Sequence, residues 1–326
     1  MCAPTQGIKR LVMAVALFAF AAELPVLAQT LEWKKLSTAT APSVRMGPAM
    51  AYDKVSRKLV LFGGFGASQN LNDTWTFDGT TWTEISTAVA PPPRNGASMT
   101  YDRFIQKLVM FGGFDVNHYL GDTWLWDGAT STWTQAQMSS PPPAATGAML
   151  FTDPLSGKAM MFGGYNATQV IPADNVTWGW DGNYWKKLSP ATKPIPRGWG
   201  IAVMDPVRNN VVLTAGNGDT IRTDNTWTWD GHDWTQVFPA TQIPSYVSAG
   251  AAFDPLLQAV VVLGAAGDTW EWTGSDWVQL TPANSPPART AEGMALDRKY
   301  GQIIMFGGQL SSNGSLVNST WRLIGQ

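Results

Sequence analysis

Glu292 and Arg289 stand close together in a stretch of small and apolar residues, Arg289-Thr290-Ala291-Glu292-Gly293-Met294. A carboxylate beside a guanidinium could hold a small polar substrate and move a proton, the minimum that general acid–base chemistry requires. Arg45, Arg94 and Arg197 open segments of the same kind, and Ala145 and Tyr246 hold the corresponding slot in two further copies. Around a common axis these arginines and Tyr246 could form a partial ring for an anion such as a carboxylate. The alternative is that each arginine packs on the linker that precedes it. Glu292 takes a slot held elsewhere by Pro48, Ala97, Ala148, Gly200 and Ala249, and Trp199 takes one held by Gly47, Gly96, Gly147, Ser248 and Ala291. A carboxylate and an indole replacing small residues mark a ligand site, since an indole face suits a sugar ring or a cation. Equally, Glu292 could pair with a nearby arginine and Trp199 could fill a void.

The sequence also limits the chemistry. There are two histidines, His118 and His232, and one cysteine, Cys2. That set is too small and too dispersed for a zinc or transition-metal centre, so no metal and no cofactor is expected. No nucleophile elbow, phosphate-binding loop or Cys-x-x-Cys pair occurs. His118 is a further proton carrier to consider beside Glu292 and Arg289, and it neighbours Tyr119 in a variable segment. Arg222 lies in another such segment, together with Asn217, Asp219 and Asp224.

These residues must be positioned by a repeat. A short apolar run ending in Phe-Gly-Gly occurs at 59–64, 108–113, 159–164 and 303–308, with looser copies ending at Gly216 and Gly264. A Thr-Trp pair follows each copy, with tryptophan at 75, 124, 178, 227, 270 and 321. An aspartate precedes each run: Asp53, Asp102, Asp153, Asp205, Asp254 and Asp297. Each copy predicts a four-stranded antiparallel sheet. In the second, Ala97–Tyr101 and Lys107–Phe111 flank a tight turn, and Asp122–Trp126 and Thr132–Gln135 flank an Asp-Gly hairpin. The recurring aspartate should bond the backbone of its own turn. Trp75, Phe77 and their equivalents should fill the space between neighbouring sheets.

The Gly-Gly doublet, the preceding Tyr-Asp or Phe-Asp, and the spaced tryptophans after it resemble the kelch repeat, across nearly all of residues 31–326. The resemblance implies an all-β, six-bladed propeller. The C-terminal copy stops after its third strand, whereas Trp33-Lys34-Lys35-Leu36-Ser37 is identical to the fourth strand of copy three, Trp185–Ser189. The N-terminal strand should therefore complete the last blade and close the ring, which removes two exposed edges. Kelch propellers most often act as binding modules. They include galactose oxidase, whose copper chemistry needs a cysteine that the mature chain would lack, and a sialic acid epimerase, which acts as a mutarotase.

Residues 1–28 resemble a signal peptide: Lys9 and Arg10, an apolar run from Leu11 to Ala22, and a small-residue cleavage site at Val26-Leu27-Ala28. This predicts a secreted or periplasmic propeller over 29–326, a monomer with no membrane span after cleavage. The formal net charge of −2 gives no footprint for nucleic acid. The expected function is binding of a protein or glycan partner through the rim of variable loops. The alternative is an enzyme on a small sugar or sugar acid, with its site at the central channel. Blade five, with almost no loop at Ala265-Ala266-Gly267, should leave a notch into that channel.

Overall fold

The computed structural model of the chain describes residues 30–167, 174–218 and 225–325. The expected leader (residues 1–28), Arg222, Asp219 and Asp224 lie outside them. Among the described residues every regular element is a strand, and six four-stranded antiparallel sheets form the blades of a propeller. In blade two the strands are Ser98–Asp102, Lys107–Phe111, Thr123–Asp127 and Thr132–Gln135, within one residue of the positions expected from the repeat. The innermost strands, from Ala49–Asp53 in blade one to Gly293–Asp297 in blade six, contact one another all the way round. Blade six is completed from the other end of the chain. Leu31–Leu36 pairs with Thr320–Gly325, Leu31 opposite Gly325 and Leu36 opposite Thr320.

Two closed circles of hydrogen bonds hold the blades together. The outer circle explains the Thr-Trp pair. The fourth-strand tryptophan of each blade donates its indole N–H to the threonine of the blade before it. Trp82 bonds Thr320, Trp133 bonds Thr74, Trp185 bonds Thr123, Trp234 bonds Thr177 and Trp277 bonds Thr226, all at 2.9 Å. Trp33, from the N-terminal strand, completes the circle at 3.1 Å from Thr269. Each bond is buried, so it satisfies a donor and an acceptor that would otherwise be costly to bury.

The inner circle runs through the backbone at the loop end of the channel. Gly96 donates to Gly47, Gly147 to Gly96, Trp199 to Gly147, Ser248 to Trp199, Ala291 to Ser248 and Gly47 to Ala291, at 2.6–2.9 Å. The arrangement needs a left-handed backbone at all six positions. Glycine supplies it freely in three blades, and Trp199, Ser248 and Ala291 are held at φ of 52°, 57° and 57° in the others.

The turn aspartates act as expected. Asp102, for example, accepts the N–H groups of Phe104 and Ile105 at 2.8 and 3.0 Å. Phe77, Trp126, Trp180, Trp229 and Trp272 stack on the outer-strand tryptophan of their own blade, with ring centroids 4.9–5.3 Å apart, and each pair packs against the second strand of the preceding blade. No helix among the described residues is long and apolar enough to cross a membrane.

Candidate functional site

The arginines do not face the channel. Arg45, Arg94, Arg197 and Arg289 are fully buried within their blades, and none of them is on the channel wall. Each guanidinium turns back onto its own crossover. Nε donates to the carbonyl two residues earlier, at Ser43, Pro92, Ile195 and Pro287, and Nη1 donates to a carbonyl at the end of the second strand. In blades one and two the fork is completed by a carboxylate, Arg45 with Asp73 and Arg94 with Asp122. Asn225 takes that place for Arg197, and Ser319 for Arg289. The expected partial ring of arginines at the channel mouth is therefore not formed. Its members instead tie each crossover to its blade, the packing role that was the alternative.

Tyr246 belongs to the same device. In the arginine slot of blade five, its hydroxyl donates to Asp268, which also accepts the Trp270 indole at 2.6 Å. Burial, and then the Asp268 carboxylate, hold the phenol well above its usual range. Arg289 differs from its counterparts. Having Ser319 where Arg45 and Arg94 have an aspartate, it lacks a carboxylate in its own fork. Burial lowers its pKa, and the charge acting in the opposite direction is that of Glu292.

Glu292 does line the channel. The cavity has a volume of about 550 Å³ and is walled by the inner strands of all six blades. Of the residues on that wall, only Glu292 and Arg298 carry a full charge. They lie at opposite ends of one strand, roughly 20 Å apart at the rise of an extended chain. Glu292 is 8% exposed. Its Oε1 accepts the Gly250 N–H at 2.7 Å, and its Oε2 has no hydrogen-bond partner. Burial pushes the carboxyl up to about 7, against the opposing pull of its own and the Gly250 N–H and of Arg289. At the turn end, burial, followed by the like charges of Arg298 and Arg103, lowers the Lys54 ammonium to about 8.

Trp199 also lines the channel, at its loop end. Its indole lies over Gly147, where a Cβ would collide with the ring. Tyr165 covers it at a centroid distance of 4.8 Å, Tyr119 meets Tyr165 at 6.4 Å, and Phe114 meets Tyr119 at 5.0 Å. A run of four half-buried aromatic rings thus crosses the loops of blades two, three and four and ends at the channel mouth. His118 stands beside this run, exposed, with Nδ1 3.4 Å from Asp115 Oδ2. His232 sits on the opposite rim, in the Asp230-Gly231 hairpin. Asn70 and Asn95 add amide groups: Asn95 donates to Asn70 Oδ1 at 2.7 Å, and Asn70 donates to the Phe114 carbonyl at 3.1 Å.

Phe114 had no place among the expected site residues. The signal was an aromatic residue directly after the Gly-Gly doublet, at 65, 114 and 165. The expected notch at blade five is bridged: its loop is a tight turn closed by Gly267 N–H to Gly264, and Ser311 of blade six bonds the Ala265 carbonyl at 3.0 Å.

Residues 24–166 match the family model described as the KLHDC2/KLHL20/DRC7 Kelch-repeats domain. A solved structure described as "Structure of YjhT" is similar in fold, with a TM-score of 0.68 at 15% identity over 89% of this chain and 99% of that one. No curated protein matches the chain. With the repeat running through all six blades, the chain has the fold of a six-bladed kelch-type β-propeller.

Proposed function

We propose that the chain is an exported binding module that engages a protein or glycan partner through its loop rim. The observation that carries this reading is the aromatic run Phe114–Tyr119–Tyr165–Trp199, which spans three blades at the channel mouth. Tyrosine and tryptophan give large, rigid contact area at little entropic cost, and they concentrate at the energetic centres of interfaces. The neighbouring Asn95, Asp115, Asn117 and His118 offer donors and acceptors of the kind that fix a sugar or a peptide. Trp199 supports the reading through its backbone. A tryptophan in a left-handed conformation is strained, and such strain collects at functional sites.

That strain provides the test. Trp199→Gly restores the residue that three other blades use. The backbone relief, about 1 kcal/mol, opposes the lost stacking on Tyr165, so the melting temperature should change little. Binding on a glycan array or to a candidate partner protein should fall at least about tenfold, as expected when a central interface aromatic is removed. Tyr119→Ala should act in the same direction. If both variants bind as the wild type does, the working face is elsewhere.

The enzymatic alternative rests on Glu292 in the channel, with His118 exposed on the rim as the other proton carrier. The Glu292 carboxyl has the proton affinity a general acid–base needs near neutral pH. The arginines that were to orient an anionic sugar beside it are held inside the blades.

A further inference from the structure

We propose that the central channel is a second binding site, for a small organic ammonium ion that carries at least one N–H, and that Glu292 is its anchor. This goes beyond the rim reading and does not depend on it.

The cavity is of the size that small-molecule sites have, and its wall is mostly apolar, both properties of a ligand pocket. Such pockets orient a ligand through few polar groups. Here the polar group is a carboxyl more than nine-tenths buried, with Oε1 committed to Gly250 and Oε2 unpartnered. Oε2 is closed off from the channel, so a ligand reaches it by turning the carboxylate towards the channel, and the donor it brings recovers the cost of an oxygen buried without one. An ammonium brings both the donor and the opposite charge, and charge-assisted hydrogen bonds are the stronger kind.

The sign of the ligand follows from the rest of the wall. An anion would find no cation at this end, because Arg289 and its equivalents are turned into the blades. The hydrocarbon part of the ligand would lie against Pro48, Ala249, Ala251 and Met294, which line the same cavity. Arg289 is the charged group that acts on Glu292 from its own blade. It stabilises the carboxylate but gives Oε2 no hydrogen bond. A quaternary ammonium has the charge but no N–H, so the site should separate the two classes.

The test is isothermal titration calorimetry of the propeller at pH 8, where Glu292 is ionised. The probes are benzylammonium, benzyl alcohol and benzyltrimethylammonium. The expected result is saturable binding of benzylammonium, with the other two at least about tenfold weaker. Glu292→Gln should remove the preference for benzylammonium while leaving the fold intact, since Gln can still accept from Gly250. Tyr119→Ala, which alters the rim and leaves the channel wall untouched, should not change the titration. Failure here with intact rim binding would separate the two readings. No saturable binding up to millimolar concentration, equal affinity for all three probes, or unchanged affinity in Glu292→Gln would overturn the proposal.

Discussion

Trp33→Ala should cost about 3–5 kcal/mol of stability, the range for truncating a fully buried tryptophan. Trp33 is 0% exposed, and its indole N–H bonds Thr269. The chain contains its own control. Trp185 begins an identical pentapeptide, is buried to 4%, and bonds Thr123 in the same way. Trp185→Ala should therefore lower the melting temperature by a similar amount, roughly 5–8 °C for a domain of this size. The two variants should differ in how they open. The strand around Trp185 follows the third strand of its blade through a tight hairpin. Leu31–Leu36 is joined to blade six only by hydrogen bonds and packing, because the chain continues from it into blade one. In Trp33→Ala that strand can leave without unfolding any other blade. Hydrogen exchange at Leu31–Leu36 and at Thr320–Gly325 should become faster than global unfolding allows, and the exposed edge should promote self-association on a sizing column. In Trp185→Ala, the amides of Trp185–Lys187 should still exchange only with the whole domain. Equal protection of the two strands would mean that the closing strand is no weaker a point than any other.

The difference between what was legible and what was not follows from repetition. A residue that recurs in six copies reports a packing role, and the blades, their closure, the turn aspartates and the Thr-Trp pairs were all readable on that ground. The arginines show the limit. Their recurrence in four copies was plain, but the direction of a long side chain is set by its partners. One of those partners, the carbonyl two residues back, is backbone and leaves no mark in the sequence, and the other, the residue two before the third-strand tryptophan, varies between blades. Asp73 and Asp122 give way to Asn225 and Ser319, so only two of the four arginines had a carboxylate at that position to advertise the pairing. The contact between the aromatic residues was missed for a related reason. Phe114, Tyr119, Tyr165 and Trp199 belong to three different blades, and their contact exists only once the ring has closed. Trp199 and Glu292 were found because each breaks its own column of small residues, a signal that needs no tertiary knowledge. Both do stand on the channel wall.

Glu292→Gln should raise stability, and the gain should depend on pH. The carboxyl titrates near 7 in the folded chain against an ordinary value of 4.5, with burial as the dominant cause. Below the ordinary value both folded and unfolded chains hold the proton, and burial of the neutral acid carries no charge penalty. As pH rises from there towards 7, the unfolded chain releases a proton that the folded chain keeps, so the group's contribution to stability declines. Above 7 the full difference is lost, about 3 kcal/mol at 1.36 kcal/mol per unit. Glutamine resembles the protonated acid and keeps the Oε1 bond to Gly250, so it escapes this loss. The melting temperatures of the two proteins should coincide near pH 4. They should then diverge through the neutral range, with the variant roughly 5 °C higher at pH 8. The other carboxylates titrate alike in both proteins and cancel in the difference. A variant less stable than the wild type at pH 8 would reverse the argument. It would mean that the attraction between Glu292 and the buried Arg289, which has no carboxylate in its own fork, outweighs the cost of burying the charge. Glu292 would then be the missing counter-ion of blade six and not a group poised to bind a ligand.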